Sequence, residues 1–119
     1  VGAANTIERI IDVFPPNQQR QITIQLASVL QAVISQQLVP SVDGTLIPVF
    51  EIMEVTPAIR NMIRENKVHQ IDGMIYSSTG SGMMSMDQSL LQAYKDGKIS
   101  KDTAMLYASN AEMLGKRLR

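Results

Sequence analysis

The hydrophobic periodicity of this 119-residue chain changes near its middle, and this change limits the folds that it can adopt. In residues 17–34 the apolar side chains recur every three or four positions, which is typical of one face of a helix. Branched residues then dominate two runs, 38–42 and 46–53, and the Asp43-Gly44 pair between them favours a tight turn. We therefore predict one long helix followed by a single β-hairpin.

Local signals predict further helices on both sides of this hairpin. Pro15-Pro16 ends a first helix at residues 6–13, because proline cannot continue a helix. Thr56-Pro57 begins another, which should end near Asn66, since threonine caps free amides and proline is tolerated at the first helical position. Ser85 and Gln88 match a capping box. With shorter helices expected at residues 70–76, 100–107 and 111–118, the fold class is α/β and mainly α-helical.

Composition narrows the function classes. Eleven basic residues balance eleven acidic ones, and aromatic residues make up only 4% of the chain, so nucleic acid is not an expected partner. Residues 1–59 nevertheless carry a net charge of −3, which the second half balances. The chain has no cysteine, which excludes disulfides and thiolate metal sites. No apolar run is long enough to cross a bilayer, and the start of the chain lacks the plan of a signal peptide.

The run Ser78-Thr79-Gly80-Ser81-Gly82 invites a phosphate-binding interpretation. A Walker A loop ends in Gly-Lys-Ser/Thr, whereas Met83 and Met84 follow the glycines here. A dinucleotide-binding loop would need a preceding strand and a third glycine that opens the helix. We therefore favour an ordinary loop between helices, and phosphate binding is the alternative. For Met83, Met84 and Met86 we favour packing in the core or the loop, and an adaptable contact surface is the alternative.

Titratable residues give no strong catalytic pattern. His69 is the only histidine, so a two-histidine metal site is excluded. A polar position at a helix boundary is the favoured interpretation for His69, and a general base oriented by Asp72 is the alternative. For Glu51 and Glu54, three residues apart, we expect a surface or edge location rather than a paired acid-base site.

Two different faces are predicted on the helix that follows Thr56. Arg60, Arg64 and Lys67 fall within about 60° of one another around this helix, given 100° per residue. A separate apolar face is formed by Ile59, Met62 and Ile63. One side should pack and the other should offer positive charge, and the spacing is compatible with a solvated basic stripe or with a docking surface.

Four short strings occur in the order expected of one known family. Residues 58–65, AIRNMIRE, resemble the AIRNLI motif of the type IV pilus retraction ATPases, the PilT family of twitching-motility motors, with Met62 replacing leucine. Residues 6–15 resemble the segment that follows the family's histidine box, residues 33–38 its hairpin entry, and residues 82–88 its GMQTMDQ stretch. The resemblance runs through nearly the whole chain.

This resemblance implies a domain division. Residues 1–55 would be the end of a RecA-like P-loop ATPase domain with its hairpin, and residues 56–119 a helical C-terminal region. In the family, the Walker A and B, aspartate and histidine boxes precede the matched segments, and none of them occurs here. We therefore expect no catalytic, cofactor-binding or metal-binding residue in this chain and no ATP hydrolysis by it alone, with ATP and magnesium as cofactors of a longer parent.

The resemblance also implies a role for the helix after Thr56. The family's motors are homohexamers at the cytoplasmic face of the inner membrane, where they act on the pilus machinery, and their AIRNLI helix is required for retraction. The residues that inherit this role are Ala58, Ile59, Arg60, Asn61, Met62 and Ile63. We expect the apolar face to seat the helix and Arg60 to contact a neighbouring subunit or the pilus machinery.

Two alternatives stay open. Pilus-assembly and type II secretion ATPases share the RecA-like core, but they commonly carry a tetracysteine module, and this chain has no cysteine. A stand-alone helical interaction module is the other alternative, because the chain holds no catalytic motif.

Overall fold

The computed structural model describes residues 2–77 and 82–118 of the chain. Two helices precede an antiparallel hairpin and five follow it, within these described ranges. The elements are α1 (Ala3–Asp12), α2 (Pro16–Val29), β1 (Ala32–Pro40), β2 (Leu46–Glu54), α3 (Pro57–Arg64), a 3-10 turn (Val68–Gln70), α4 (Ile71–Ser77), α5 (Met86–Lys95), α6 (Lys101–Tyr107) and α7 (Ala111–Arg117). The mainly helical α/β fold with one hairpin is therefore confirmed.

The predicted caps are present. Thr56 accepts a hydrogen bond from the Ile59 amide, which begins α3. Ser85 and Gln88 form the complete capping box at the start of α5. Ser100 caps α6 in the same way through the Thr103 amide. Each of these caps involves a side chain and an amide only three residues apart, so no tertiary contact is needed to predict it from the sequence.

The long second helix is shorter than its periodicity predicted. It ends at Val29, and Val33 and Ile34, which we assigned to the helix, lie in β1 instead. The apolar residues from Val29 to Ile34 fit the periodicity of a helix and also that of a strand. Pairing with β2 makes this part of the chain a strand from Ala32 onward. The ladder runs from Ala32 opposite Glu54 to Pro40 opposite Leu46, so nine residues of each strand are paired.

The hairpin turn lies where Asp43-Gly44 predicted it. Gly44 has a φ of +87°, a conformation that glycine adopts without strain. The Asp43 carboxylate accepts hydrogen bonds from the Ser41 hydroxyl, the Thr45 hydroxyl at 2.7 Å and the Thr45 amide at 3.1 Å. These bonds, led by the one from Ser41, lower the pKa of Asp43 to about 2.

Buried side chains form two separate cores, one on each side of the hairpin's middle. The first core joins α1, α2, α3, the 3-10 turn and α4 to Met53 of β2, and the second joins α5, α6 and α7 to Val39 and Val49. The molecule is correspondingly elongated, at 48 × 26 × 22 Å. Its radius of gyration is 15.7 Å, and a compact chain of this length would have about 13.5 Å.

The first core draws residues from both sides of position 55. Ile7 and Met53 come before it, and Ile59 and Ile75 come after it. The division into residues 1–55 and 56–119 stays a prediction about domains of a longer protein. Among the residues that the model describes, no helix is both long and apolar enough to cross a bilayer.

Candidate functional site

Helix α3, which carries the AIRNLI-like motif, has two fixed ends. At its start Thr56 Oγ1 accepts from the Ile59 amide at 3.3 Å, and Pro57 occupies the first helical position. At its end Asn66 adopts a φ of +59°, and the Lys67 amide then donates to the Met62 carbonyl at 2.7 Å. A left-handed residue followed by such a bond stops a helix, so the motif is held as an eight-residue rod.

The apolar face of α3 seats it on the first core, as predicted. Ile59 and Ile63 are fully buried, and Met62 is half-buried against the same core. Burial of two isoleucine side chains contributes roughly 3–6 kcal/mol of transfer free energy. An isolated helix of eight residues would not persist in water, so this packing is what maintains the motif's shape.

Arg60 has a partner within the chain, which its spacing did not predict. Its Nη1 donates to the carbonyl oxygen of Ala27, in the last turn of α2, and the side chain is half-buried. A cation at a helix C-terminus satisfies a free carbonyl and the negative end of the helix dipole. The predicted basic stripe is therefore divided, because Arg64 and Lys67 are exposed whereas Arg60 lies against α2.

The solvent-facing side of α3 is formed by two other members of the motif and by Arg64, which follows it. Ala58, Asn61 and Arg64 are exposed, and their spacing of three places them on one side of the helix. Asn61 Oδ1 accepts from Arg64 Nη1 at 2.9 Å. This face thus presents an amide and a guanidinium beside a small residue, and it is the part of the motif that a partner can reach.

Glu51 does not lie where the sequence analysis placed it. It is only 6% exposed, whereas Glu54 is exposed as expected. Its Oε2 accepts from the Ala3 amide at 2.6 Å, and its Oε1 accepts from the Met86 amide at 3.4 Å. The strand alternation contained the signal that we missed, because residue 51 shares its face of β2 with the buried Val49 and Met53.

Asp87 is a second buried carboxylate that the sequence analysis did not single out. Its two oxygens accept from the amides of Ser109 at 2.7 Å and Asn110 at 2.9 Å, immediately before α7. Asp87, in α5, therefore holds the start of α7 in place, although Ser109 lies 22 residues further along the chain. Charge-assisted bonds of this kind are roughly twice as strong as neutral ones.

A cleft of about 500 Å³ lies between the two cores. Its walls include the carboxylates of Glu51, Asp72 and Asp87. Burial raises the pKa of Asp72, and the negative charge of Asp87 raises it further. The carboxylates would repel a nucleotide's phosphates, so this cleft does not fit ATP. Within residues 2–77 and 82–118, no three acidic or histidine side chains come together as candidate metal ligands.

The remaining candidates are less informative. His69 is exposed in the 3-10 turn. Residues 78–81 of the glycine-rich run, on which the phosphate-loop alternative depends, lie outside the described residues. Met83 is buried in the first core and Met86 in the second, in agreement with the packing interpretation. Met84 pairs with Ile52 through two backbone hydrogen bonds of 2.8 and 3.0 Å, which continues the sheet beyond β2.

The position of Asp72 gives a testable pH dependence. Since its pKa is raised in the folded state, folding is favoured at low pH, and this contribution is lost as the pH rises through the raised pKa. We expect Asp72→Asn to unfold at a higher temperature than the parent chain at pH 7 and at the same temperature at pH 3. Thermal unfolding followed by circular dichroism measures both. A variant that is less stable than the parent at pH 7 would contradict this assignment.

No family model matches the chain. Individual relatives do match it. The chain is 41% identical over 114 residues, 95% of its length, to a twitching motility protein of Neisseria gonorrhoeae. It is also 41% identical over 103 residues, 87% of its length, to the type IV pilus retraction ATPase PilT of Pseudomonas aeruginosa. The chain spans about 30% of the length of each of these curated relatives.

A comparison with solved structures shows that the fold of this chain is also similar to that of PilT. The crystal structure of the pilus retraction motor PilT with bound ADP superposes on 97% of this chain with a TM-score of 0.82 and 37% sequence identity. The chain covers 32% of that structure. Sequence likeness and fold likeness therefore extend over the same residues, and over the segment that it spans this chain belongs to the PilT family of twitching-motility proteins.

Proposed function

We propose that this chain is a segment of an ATP-driven motor that retracts type IV pili and powers twitching motility. The observation that carries the proposal is the 41% identity to the twitching motility protein over 95% of the chain, together with the intact AIRNLI-like helix. Within this motor the segment would couple subunits to the pilus machinery rather than perform catalysis. ATP and magnesium would be bound by parts of the longer protein that this chain does not include.

The packing of α3 and its exposed face support a coupling role. Its apolar side is fully engaged in the first core and Arg60 holds it to α2, so the helix is rigidly attached to the chain. Its opposite side leaves Ala58, Asn61 and Arg64 free to meet another surface. A rigid, small polar face is suited to transmit a displacement, because it need not be ordered on contact. The partner would be another subunit of a homohexamer or the pilus machinery at the cytoplasmic face of the inner membrane.

A chimeric motor tests this proposal. In PilT of Pseudomonas aeruginosa, the segment that aligns with this chain would be replaced by these 119 residues, and the chimera would be expressed in a strain that lacks its own PilT. We expect the purified chimera to hydrolyse ATP and the strain to regain twitching, whereas the 119-residue chain alone should show no turnover. PilT truncated before the exchanged segment is the control and should not restore twitching.

Two outcomes would contradict the proposal in different ways. A chimera that assembles and hydrolyses ATP but does not restore twitching would favour a secretion or pilus-assembly ATPase. A folded chimera that neither hydrolyses ATP nor restores twitching would favour a stand-alone interaction module.

A further inference from the structure

One face of β2 passes from one core to the other. Val49 lies in the second core and Met53 lies in the first. Glu51 lies between them on the same face, buried, and opposite the buried Ser35 of β1. A carboxylate at this point is unusual, since the neighbouring inward positions of the strand are apolar and a buried charge is costly unless it is fully hydrogen-bonded.

The hydrogen bonds of Glu51 explain why a carboxyl group occupies this position. One oxygen accepts from the Ala3 amide, at the first residue of α1, and the other from the Met86 amide, at the first residue of α5. Helix α1 belongs to the first core and α5 to the second. Both helix starts carry free amides and the positive end of a helix dipole, so one carboxylate satisfies a helix of each core.

Helix α1 depends on this arrangement more than α5 does. Its N-cap residue is Gly2, which has no side chain to accept a bond, and Glu51 takes over that function from 48 residues away. Helix α5 has its own capping box from Ser85 and Gln88. A Cβ atom on Gly2 would lie 2.7 Å from Glu51 Oε2, so the absence of a side chain at residue 2 is what lets the carboxylate reach α1.

Within residues 2–77 and 82–118, few other contacts join the two units. We call α1 to α4 with the 3-10 turn the N-terminal unit, and α5 to α7 the C-terminal unit. Both units pack on the hairpin. The Arg117 guanidinium of α7 lies over the ring of Tyr76 in α4 at 4.9 Å. Asp72 and Asp87, by contrast, place like charges on opposite sides of the cleft. The Glu51 carboxylate is therefore a buried polar connection between the units.

We propose that Glu51 is a clasp that fixes the orientation of the C-terminal unit relative to the N-terminal unit, which carries the AIRNLI-like helix. In the motor, this clasp would decide whether a movement of α3 is passed to α5, α6 and α7. That consequence rests on the proposed function. The clasp itself does not, because it can be measured in the 119-residue chain without pili or nucleotide.

Amide hydrogen exchange followed by NMR tests the clasp. Glu51→Gln keeps the size of the side chain but removes its charge and turns one acceptor into an amide donor, so one helix start loses its hydrogen bond and the other loses its charged acceptor. We expect exchange in the first turns of both α1 and α5 to become at least about tenfold faster. Glu54→Gln, an exposed change on the same strand, is the matched control and should alter exchange by less than about twofold.

A second variant displaces the carboxylate without removing it. Gly2→Ala causes no backbone strain, because Gly2 has an ordinary extended conformation with φ −73°. The methyl group of the alanine would, however, push the Glu51 carboxylate away from Ala3. It should also accelerate exchange in both helices. In a chain that already carries Glu51→Gln, its effect should be smaller than in the parent, because the two changes disrupt the same contact.

A variant with an ordinary packing defect separates the clasp from general destabilisation. Val49→Ala leaves a cavity in the second core, and its faster exchange should be confined to the C-terminal unit. Residual dipolar couplings should show a changed or broadened orientation between the units in Glu51→Gln and Gly2→Ala but not in Val49→Ala. Exchange that accelerates in one unit only, or an unchanged orientation in both clasp variants, would overturn the proposal.

Discussion

Replacing Ile63 with alanine is expected to lower the free energy of unfolding of this chain by about 3 kcal/mol. Ile63 is fully buried in the first core, so the change removes apolar contacts and leaves a cavity beneath α3. The loss is large for one side chain because a marginally stable domain of this size has only about 5–15 kcal/mol in total. Urea unfolding monitored by circular dichroism gives the value directly.

Asn61→Ala is the matched control on the same helix. Asn61 is exposed and its side chain contacts only Arg64 among the described hydrogen bonds, so the change should cost less than about 0.5 kcal/mol. Equal costs for Ile63→Ala and Asn61→Ala would mean that α3 is not seated by its apolar face.

The elements that the sequence predicted correctly are those fixed by neighbouring residues. The caps at Thr56 and Ser85 need only a side chain and an amide three residues later. The Asp43-Gly44 turn is likewise local, and the buried face of α3 follows from helical periodicity. Such signals are complete within one turn of chain, so no tertiary information is required to read them.

The features that the sequence did not predict depend on distant partners. The end of α2 at Val29 is decided by the pairing of β1 with β2. Arg60 reaches Ala27 across 33 residues, and Glu51 reaches Ala3 and Met86 across 48 and 35 residues. For Glu51 the period-two pattern predicts an inward side chain, but neither pattern nor spacing reveals which helix starts it meets.

Arg60→Ala is expected to have the largest functional effect of the changes in α3. It removes the contact that holds α3 to the end of α2, and the family resemblance predicts that this helix is required for retraction. In the chimeric motor, we expect the rate of pilus retraction to fall by about tenfold or more, the usual size for a residue central to a contact. Turnover of ATP should change by less than about twofold, because we expect α3 to supply no group to the nucleotide.

Stability must be separated from coupling in this comparison. The lost hydrogen bond to Ala27 is expected to cost about 1–2 kcal/mol of folding stability, and an unfolded motor would also fail to retract. Asn61→Ala avoids this problem, since it alters the accessible face of α3 and leaves the seated face intact. Gln25→Ala, at an exposed position of α2, is the control outside the motif.

The most direct measurement is therefore the retraction rate and the ATP turnover of the same chimeric motor, recorded for the parent segment, Arg60→Ala, Asn61→Ala and Gln25→Ala. A coupling role for α3 predicts that both motif variants lose retraction while they keep turnover, and that Gln25→Ala keeps both. Retraction that survives Arg60→Ala and Asn61→Ala, or turnover that falls in parallel with retraction in folded motors, would contradict it.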